Sequence, residues 1–516
     1  MSLRLGVDVG GTNTDAVILD DQAHVLGRYK SPTTPDVTSG IRNALDGLLR
    51  SAPNLDVSDI RHAMLGTTHC TNALLERRNL NQVGLIRIGA SASLAIPPYV
   101  QWPADLRAAV GGVSAIVEGG FDYDGREIQP LDLPAVRAAA TTFKGRVDSV
   151  ALVGVFSAVD ASQEQRTAEL VHDVLGDVPV TLSSEIGSLG LLERENASIL
   201  NAALVDTARA AAAAFEQALA AHGIRARLFF SQNDGTLMAL DYAARYPILT
   251  VASGPANSLR GAAFLSGLQN AIVVDVGGTS TDVGILVSGF PREAAVAVDI
   301  AGVITNFRMP DLVSIALGGG TRVDPGQPPR IGPTSVGYRI TERALVFGGD
   351  TLTLSDMAVA AGLARLGEPS RVAHLDTELV AYAIDQVRTR CDAAIDRVKT
   401  SAEPLPVVLV GGGSIIIPDD LPSGAVLRPV HHAVANAIGA AIAQCSGEIE
   451  RVFSLESQTR QQALAIAQEM ARTEAINAGA EPGTVQIIDV HEVPLAYLPG
   501  NATRIRVRAA GDLARS

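Results

Sequence analysis

Positive charge is what this 516-residue sequence is short of: 41 Lys and Arg stand against 55 Asp and Glu, a formal net charge of −14. A nucleic-acid or anionic-membrane surface needs a basic stripe, so neither partner is expected. Cysteine is scarce too. Cys70, Cys391 and Cys445 are odd in number and scattered, which excludes a disulfide framework or a metal knot and fits a reducing cytoplasm. Long apolar runs are missing. The alanine-rich stretch from Ala202 to Ala221 is broken by Asp206, Arg209 and Glu216, so it reads as a soluble helix and not a membrane span. No basic segment, apolar segment and cleavage site precede the first strand, so no signal peptide is expected. With 47% apolar and 19% charged residues the composition is ordinary globular. The length exceeds one core and, at roughly 100–200 residues per domain, predicts three or four units.

What is there is a phrase written twice. Val7-Asp8-Val9-Gly10-Gly11-Thr12-Asn13-Thr14-Asp15 recurs as Val274-Asp275-Val276-Gly277-Gly278-Thr279-Ser280-Thr281-Asp282, with one difference, Asn13 against Ser280. Each copy reads as a buried strand, a tight Gly-Gly turn and a second β-branched strand. Glycines at the tip supply bare N–H groups and room for a ligand, the threonines add hydroxyl donors, and the preceding aspartate can hold a cation through water. One such loop is suited to a polyphosphate, and two facing each other are suited to ATP. A pair of ordinary hairpins is the plain alternative.

Along the chain, a third strand is expected at His24 to Tyr29 and helices at Thr38 to Arg50 and Ala73 to Arg78. Between the last two, Ala63 to Gly66 reads as a strand that ends in Gly66-Thr67-Thr68-His69-Cys70-Thr71-Asn72. That turn is a second cradle of N–H and O–H donors backed by a helix N-terminus, or else simply a helix cap. Leu94 to Gly120, which holds the only tryptophan, Trp102, reads as an irregular insertion. Further helices are expected at Pro134 to Phe143, within Leu191 to Ala221, at Asp376 to Lys399 and at His432 to Gln444. Val407 to Val410 is a strand delivering Gly411-Gly412-Gly413-Ser414, and Thr459 to Arg508 reads helix, strand, strand.

Two phosphate loops opening two related halves, with a late strand–Gly-Gly–helix, resemble the actin-like ATPase superfamily. More specifically, Asp8 to Ala16, Gly66-Thr67-Thr68 with Thr71 to Arg77, Ser253-Gly254-Pro255-Ala256, Asp275 to Asp282, and Gly411 to Ser414 with Ala435 to Ala440 look like the hydantoinase A / 5-oxoprolinase family, over roughly residues 3 to 450. The resemblance implies an α/β fold: two actin-like (ribonuclease H-like) ATPase lobes around a nucleotide cleft, here residues 1–180, with an insertion around 90–130, and 181–447. Residues 448–516 would form a separate small α+β C-terminal module. It implies phosphorylation of the carbonyl oxygen of a cyclic amide (hydantoin, lactam or 5-oxoproline) with ATP and Mg²⁺, commonly beside a metal-bearing B-type hydantoinase subunit, in a homo- or hetero-oligomer in the cytoplasm. The chain departs from the fuller pattern at His69 and Cys70, at Arg87 to Trp102, and in its much shorter C-terminal part.

On these grounds Asp8 and Asp275 are assigned to Mg²⁺, and Gly10, Gly11, Thr12, Asn13, Gly277, Gly278, Thr279 and Ser280 to phosphate. Gly411, Gly412, Gly413 and Ser414 are assigned to the nucleoside. Thr67, Thr68 and His69 are the expected substrate side, with Thr68 and His69 counted as catalytic. Asp15 and Asp282 are either supporting carboxylates or bonded to their own turns, and Glu193 and Glu195 are acid/base candidates or helix-surface charges. His431 and His432 are adjacent and so do not read as a metal pair, and any catalytic transition metal is expected on a partner. A small-molecule kinase, an ATP-dependent carboxylase subunit, or a non-catalytic nucleotide-gated regulator are the competing functions.

Overall fold

A computed structural model describes residues 2–34, 37–186, 189–294, 298–306, 309–401, 403–456, 458–495 and 501–514. Each repeated phrase is a β-hairpin with the same register. Strands Leu3–Val9 and Asn13–Leu19 pair Asp8 with Asp15, and strands Ala271–Val276 and Thr281–Val287 pair Asp275 with Asp282. In both, a parallel strand lies on the other side of the first hairpin strand: Ile60–Thr67 in one half and Val407–Val410 in the other. The hairpin strands are buried on both sheet faces: Ile272, Val274 and Val276 lie on one and Ala271 and Val273 on the other, as Ala16 and Ile18 lie opposite Val17 and Leu19 in the first hairpin.

The first sheet has nine strands in the order Gln486–Pro494, Thr503–Gly511, Cys445–Phe453, Leu237–Ala239, Arg227–Ser231, Ile60–Thr67, Leu3–Val9, Asn13–Leu19 and Val25–Pro32. The second has seven and is built around Ala271–Val276. A third, all-parallel sheet of four strands (Val83–Ile88, Val113–Val117, Ser149–Gly154, Val180–Leu182) forms the insertion, which is therefore larger and more regular than residues 90–130. The 31-residue helix Leu191–Ala221 joins insertion and first sheet, burying Ala197 to Ala208 against one and Ala211 to Leu219 against the other.

Sheet membership moves two expected boundaries. Arg227–Ser231 and Leu237–Ala239 complete the first sheet, so the second half takes shape only from about Ala271. Residues 448–516 are not a separate module, because Cys445–Phe453 and the two strands after it extend the first sheet. The physical reason lies in the helix Arg460–Asn477. Its single buried stripe, Ala463, Ala467, Ala471 and Ala475, is made of small residues that let it lie close on that sheet. A Cβ on Gly447 would stand 2.1 Å from Ala475 N. Arg506 and Arg508 then reach across to Glu293 of the second half, at 2.6 and 2.7 Å.

Candidate active site

Asp8 lies at the meeting point of the halves. It accepts hydrogen bonds from Asn436 Nδ2 at 2.8 Å and Asn257 Nδ2 at 3.5 Å. These come from the helices Ala435–Ile442 and Ser253–Ser266, which cross with Gly439 against Asn257 O and Gly261 against Ala435 O. Burial and the nearby Asp15 charge push the Asp8 carboxyl up to about 6, against relief from the two asparagines and Lys30. Asp275 is pushed up to about 7, again chiefly by burial; the Ser258 hydroxyl and Lys30 oppose this, while Asp282 and Asp8 add to it. The charge of the first phrase's aspartate thus reaches that of the second.

Lys30 was not anticipated from sequence. It stands opposite Asp15 in the strand register, with Nζ 2.5 and 2.6 Å from the two Asp15 oxygens. A Cβ on Gly412 of the other half would be 3.6 Å from the same Nζ. One cation therefore serves carboxylates on both sides of the cleft. Asp282 accepts from the Ser314 hydroxyl on the neighbouring strand, so neither Asp15 nor Asp282 is bonded only to its own turn.

The first loop is open at its tip: Gly10 N donates to Asn13 O at 3.0 Å, Thr33 Oγ1 to Gly10 O at 2.7 Å, and nothing lies within 4 Å of a Cβ built on Gly11. The second is braced from below. Gly277 N donates to Ser280 O at 2.9 Å, and Gly319 and Gly320 donate to Gly277 O and Gly278 O at 3.1 and 2.7 Å. Thr279 at the tip is exposed. Gly411 needs its residue type twice over, since its φ is +84° and a Cβ would stand 2.3 Å from Asp275 Oδ1. A Cβ on Gly413 would be 2.1 Å from Gly277 O, and Ser414 is fully buried. Asp8, Asp275, both tips and the 411–414 turn are thereby brought together.

The Thr67–Asn72 turn adjoins this cluster. A Cβ on Gly66 would meet Asp8 Oδ1 at 2.2 Å. Thr68 occupies the N-cap position of the helix His69–Glu76 but makes no side-chain cap; its hydroxyl donates to Val9 O at 3.2 Å and accepts from Asn72 Nδ2 at 3.4 Å. Thr67 Oγ1 and His69 Nδ1 share a hydrogen bond, and burial lowers the His69 pKa, so the ring is neutral at pH 7. Ser253 Oγ donates to Thr67 O at 3.4 Å, which joins the start of the Ser253–Ser266 helix to the same turn.

Glu195 is elsewhere. It is buried in a two-pronged pair with Arg87, at 2.6 and 2.7 Å, inside the insertion, so it has no free carboxylate to offer. Glu193 sits in the first turn of its helix beside Gly190, where a carboxylate complements the helix dipole. His431 carries a positive φ and His432 starts a new helical turn, and among the described residues no group of three or more His, Cys, Asp or Glu could hold a metal directly. Among them also, no helix is long and apolar enough to cross a membrane.

Residues 4–175 match the hydantoinase/oxoprolinase N-terminal region, and residues 194–398 match hydantoinase/oxoprolinase. The caprolactamase subunit alpha of Pseudomonas jessenii is 29% identical over 440 residues, 78% of this chain and 59% of that one. The acetophenone carboxylase gamma subunit of Aromatoleum aromaticum is 28% identical over 397 residues, 69% of this chain and 53% of that one. The chain spans little more than half the length of these two relatives. Among solved structures, the ATP-dependent caprolactamase from Pseudomonas jessenii matches with a TM-score of 0.78 at 21% identity, covering 99% of this chain and 88% of that one. That likeness gives the fold, two actin-like ATPase-type lobes.

Proposed function

The chain belongs to the hydantoinase/oxoprolinase family, and from that premise we propose that it activates the carbonyl oxygen of a cyclic amide by ATP-dependent phosphorylation, as the first half of ring opening. The observation that carries this is the convergence of Asp8 and Asp275, each at the root of a glycine loop, around Lys30. ATP, as co-substrate, supplies the phosphoryl group whose transfer to the amide oxygen breaks the resonance that protects the ring carbon. Gly10 to Asn13 and Gly277 to Ser280 offer backbone N–H and hydroxyl donors to phosphate oxygens, and the 411–414 turn faces the nucleoside. Positioning and charge neutralisation are most of what a protein contributes to such a transfer.

Two carboxylates, with no group of three or more His, Cys, Asp or Glu among the described residues to complete a protein-only shell, fit Mg²⁺, which keeps several waters and takes the rest of its shell from phosphate. Burial is the main reason for their raised proton affinity, and Lys30 opposes it only in part, which leaves room for further positive charge. Mg²⁺ at Asp8 and Asp275 would supply that charge. The turn at Thr67, Thr68 and His69 is assigned to the substrate side. There the neutral His69 ring, with Nδ1 held by Thr67, has Nε2 left to bond or move a proton at the amide. Completion of hydrolysis is assigned to a B-type partner subunit, with which this chain forms a hetero-oligomer in the cytoplasm.

A second reading, activation of a ketone oxygen for carboxylation, is favoured by the 28% identity to an acetophenone carboxylase subunit. The two are separated by measuring ADP release in the presence of lactams, hydantoins and 5-oxoproline, and of ketones with bicarbonate. Stimulation by the amides alone supports the first reading. Stimulation by ketones alone replaces it with the second, and ATP turnover that no carbonyl compound alters would leave a nucleotide-gated regulator.

A further inference from the structure

The two phosphate loops offer donors to a polyphosphate and the 411–414 turn borders the nucleoside, but none of these residues offers an aromatic face to its base. The segment Ser335 to Ile340 runs beside them. Ser335 Oγ donates to Gly278 O at 3.2 Å, Val336 N to Gly320 O at 2.9 Å, and Gly337 N to Ser335 Oγ at 3.1 Å. A Cβ on Gly337 would come within 3.9 Å of Thr279 Oγ1 at the second loop's tip. At the other end, Ile340 Cδ1 and Gly413 Cα lie 3.9 and 3.8 Å from a Cβ built on Gly319. The segment therefore runs from the tip of the phosphate loop to Gly319, which adjoins Gly413 of the nucleoside turn. At its middle is Tyr338, a large ring left 41% exposed, with the Arg339 guanidinium carbon 5.7 Å from its centroid. Ser335 and Val336 are anchored to the loops by hydrogen bonds, whereas Tyr338 keeps part of its ring open to solvent.

We propose that Tyr338 is the platform on which the base of the bound nucleotide stacks, with Arg339 held against the same ring by cation–π attraction. The proposal rests on the nucleotide-binding part of the function above. Base–aromatic stacking is worth enough that alanine substitution typically weakens binding on the order of tenfold, and it tolerates different bases because each has a π-face. Tyr338 would then set affinity for the nucleoside end and leave the triphosphate end to the glycine loops.

The test is calorimetric titration of the full chain and of its Tyr338→Ala and Tyr338→Phe variants with Mg·ATP and, separately, with magnesium tripolyphosphate, which has no base. The expected result is a loss of about tenfold for ATP in Tyr338→Ala, none for tripolyphosphate, and parental affinity for both in Tyr338→Phe. Because the ring is exposed, melting temperature should not change, and it is measured alongside. Equal losses for both ligands would make Tyr338 a brace for the phosphate loop, and no loss for either would remove it from the site; each overturns the proposal. If the parental chain itself binds no Mg·ATP, the nucleotide reading falls together with it, an outcome distinct from a parental chain that binds and a variant that binds equally well.

Discussion

Thr12 and Gly278 touch across the cleft. A Cβ on Gly278 would stand 2.6 Å from both Thr12 Cγ2 and Oγ1, so the two phosphate loops meet at a distance only glycine allows. Gly278→Ala should force the loops apart and lower ATP affinity, with little effect on melting because Gly278 is only partly buried. In a Thr12→Ala background the extra loss should shrink, with a coupling of about 0.5 kcal/mol or more in a double-mutant cycle. Additive losses would mean that the loops do not sense each other.

Asp275→Asn should keep the fold and lose turnover by about 10²-fold or more, as when one strong electrostatic stabiliser is removed. The variant is nearly isosteric, so melting curves check the first clause and ADP release the second. Parental turnover would strip Asp275 of its metal role.

The pH dependence of stability follows from the same carboxylates. Asp8 is raised to about 6 and Asp275 to about 7 in the folded chain, both from 3.8. Between about pH 4 and pH 7 the folded state therefore holds protons that the unfolded chain has released, and stability falls as pH rises through that window. Without metal, the melting temperature should drop from about pH 5 to about pH 8, and Asp275→Asn should reduce the drop. Mg²⁺ should raise melting more at the higher pH, where it has no proton to displace. A melting temperature that climbs over this interval in the parental chain and not in the variant would reverse the sign assigned to Asp275.

Asp8 and Asp275 were legible in the sequence because each sits inside a repeated phrase whose register the hairpins preserve. Lys30 was not, since its partnership with Asp15 arises from cross-strand pairing with a strand that carries no motif. Asn257 and Asn436 reach Asp8 from 249 and 428 residues away. Their only signal was that each lies in or beside a family-like run, after Ser253-Gly254-Pro255-Ala256 and within Ala435 to Ala440. The C-terminal strands were readable as strands, but nothing local says whose sheet they join. That is decided by the alanine stripe Ala463 to Ala475 packing on it.

Lys30→Met should raise the proton affinity of Asp8 and Asp275, because its charge lowers both. The acid limb of the ATP-turnover profile should move to higher pH, and maximal turnover should fall by about 10²-fold. A lower maximum with an unmoved limb would make Lys30 a partner of Asp15 only.

Thr68→Ala should lower amide-stimulated ATP turnover much more than ATP affinity, since Thr68 is tied to Val9 O behind the first loop and borders the substrate side. Binding and turnover are measured on the same preparation. Equal losses would place Thr68 in the nucleotide site or in the fold, and an unchanged stimulated rate would remove it from the substrate side.

Glu195 gives the opposite kind of prediction. Its carboxylate and the Arg87 guanidinium are both almost wholly buried, and Arg87 also donates to Ile96 O at 2.6 Å, so the pair closes the end of a strand in the insertion. Removing one partner leaves the other charged and buried without compensation, which typically costs about 3–5 kcal/mol. Glu195→Ala should therefore lower the melting temperature by several degrees, while any folded fraction turns over ATP at the parental rate per active molecule. Arg87→Met with Glu195→Leu, which removes both charges and keeps volume, should recover much of the lost stability. A stable Glu195→Ala protein with selectively lost turnover would return Glu195 to acid/base chemistry, because a purely structural carboxylate has no means of producing that pattern.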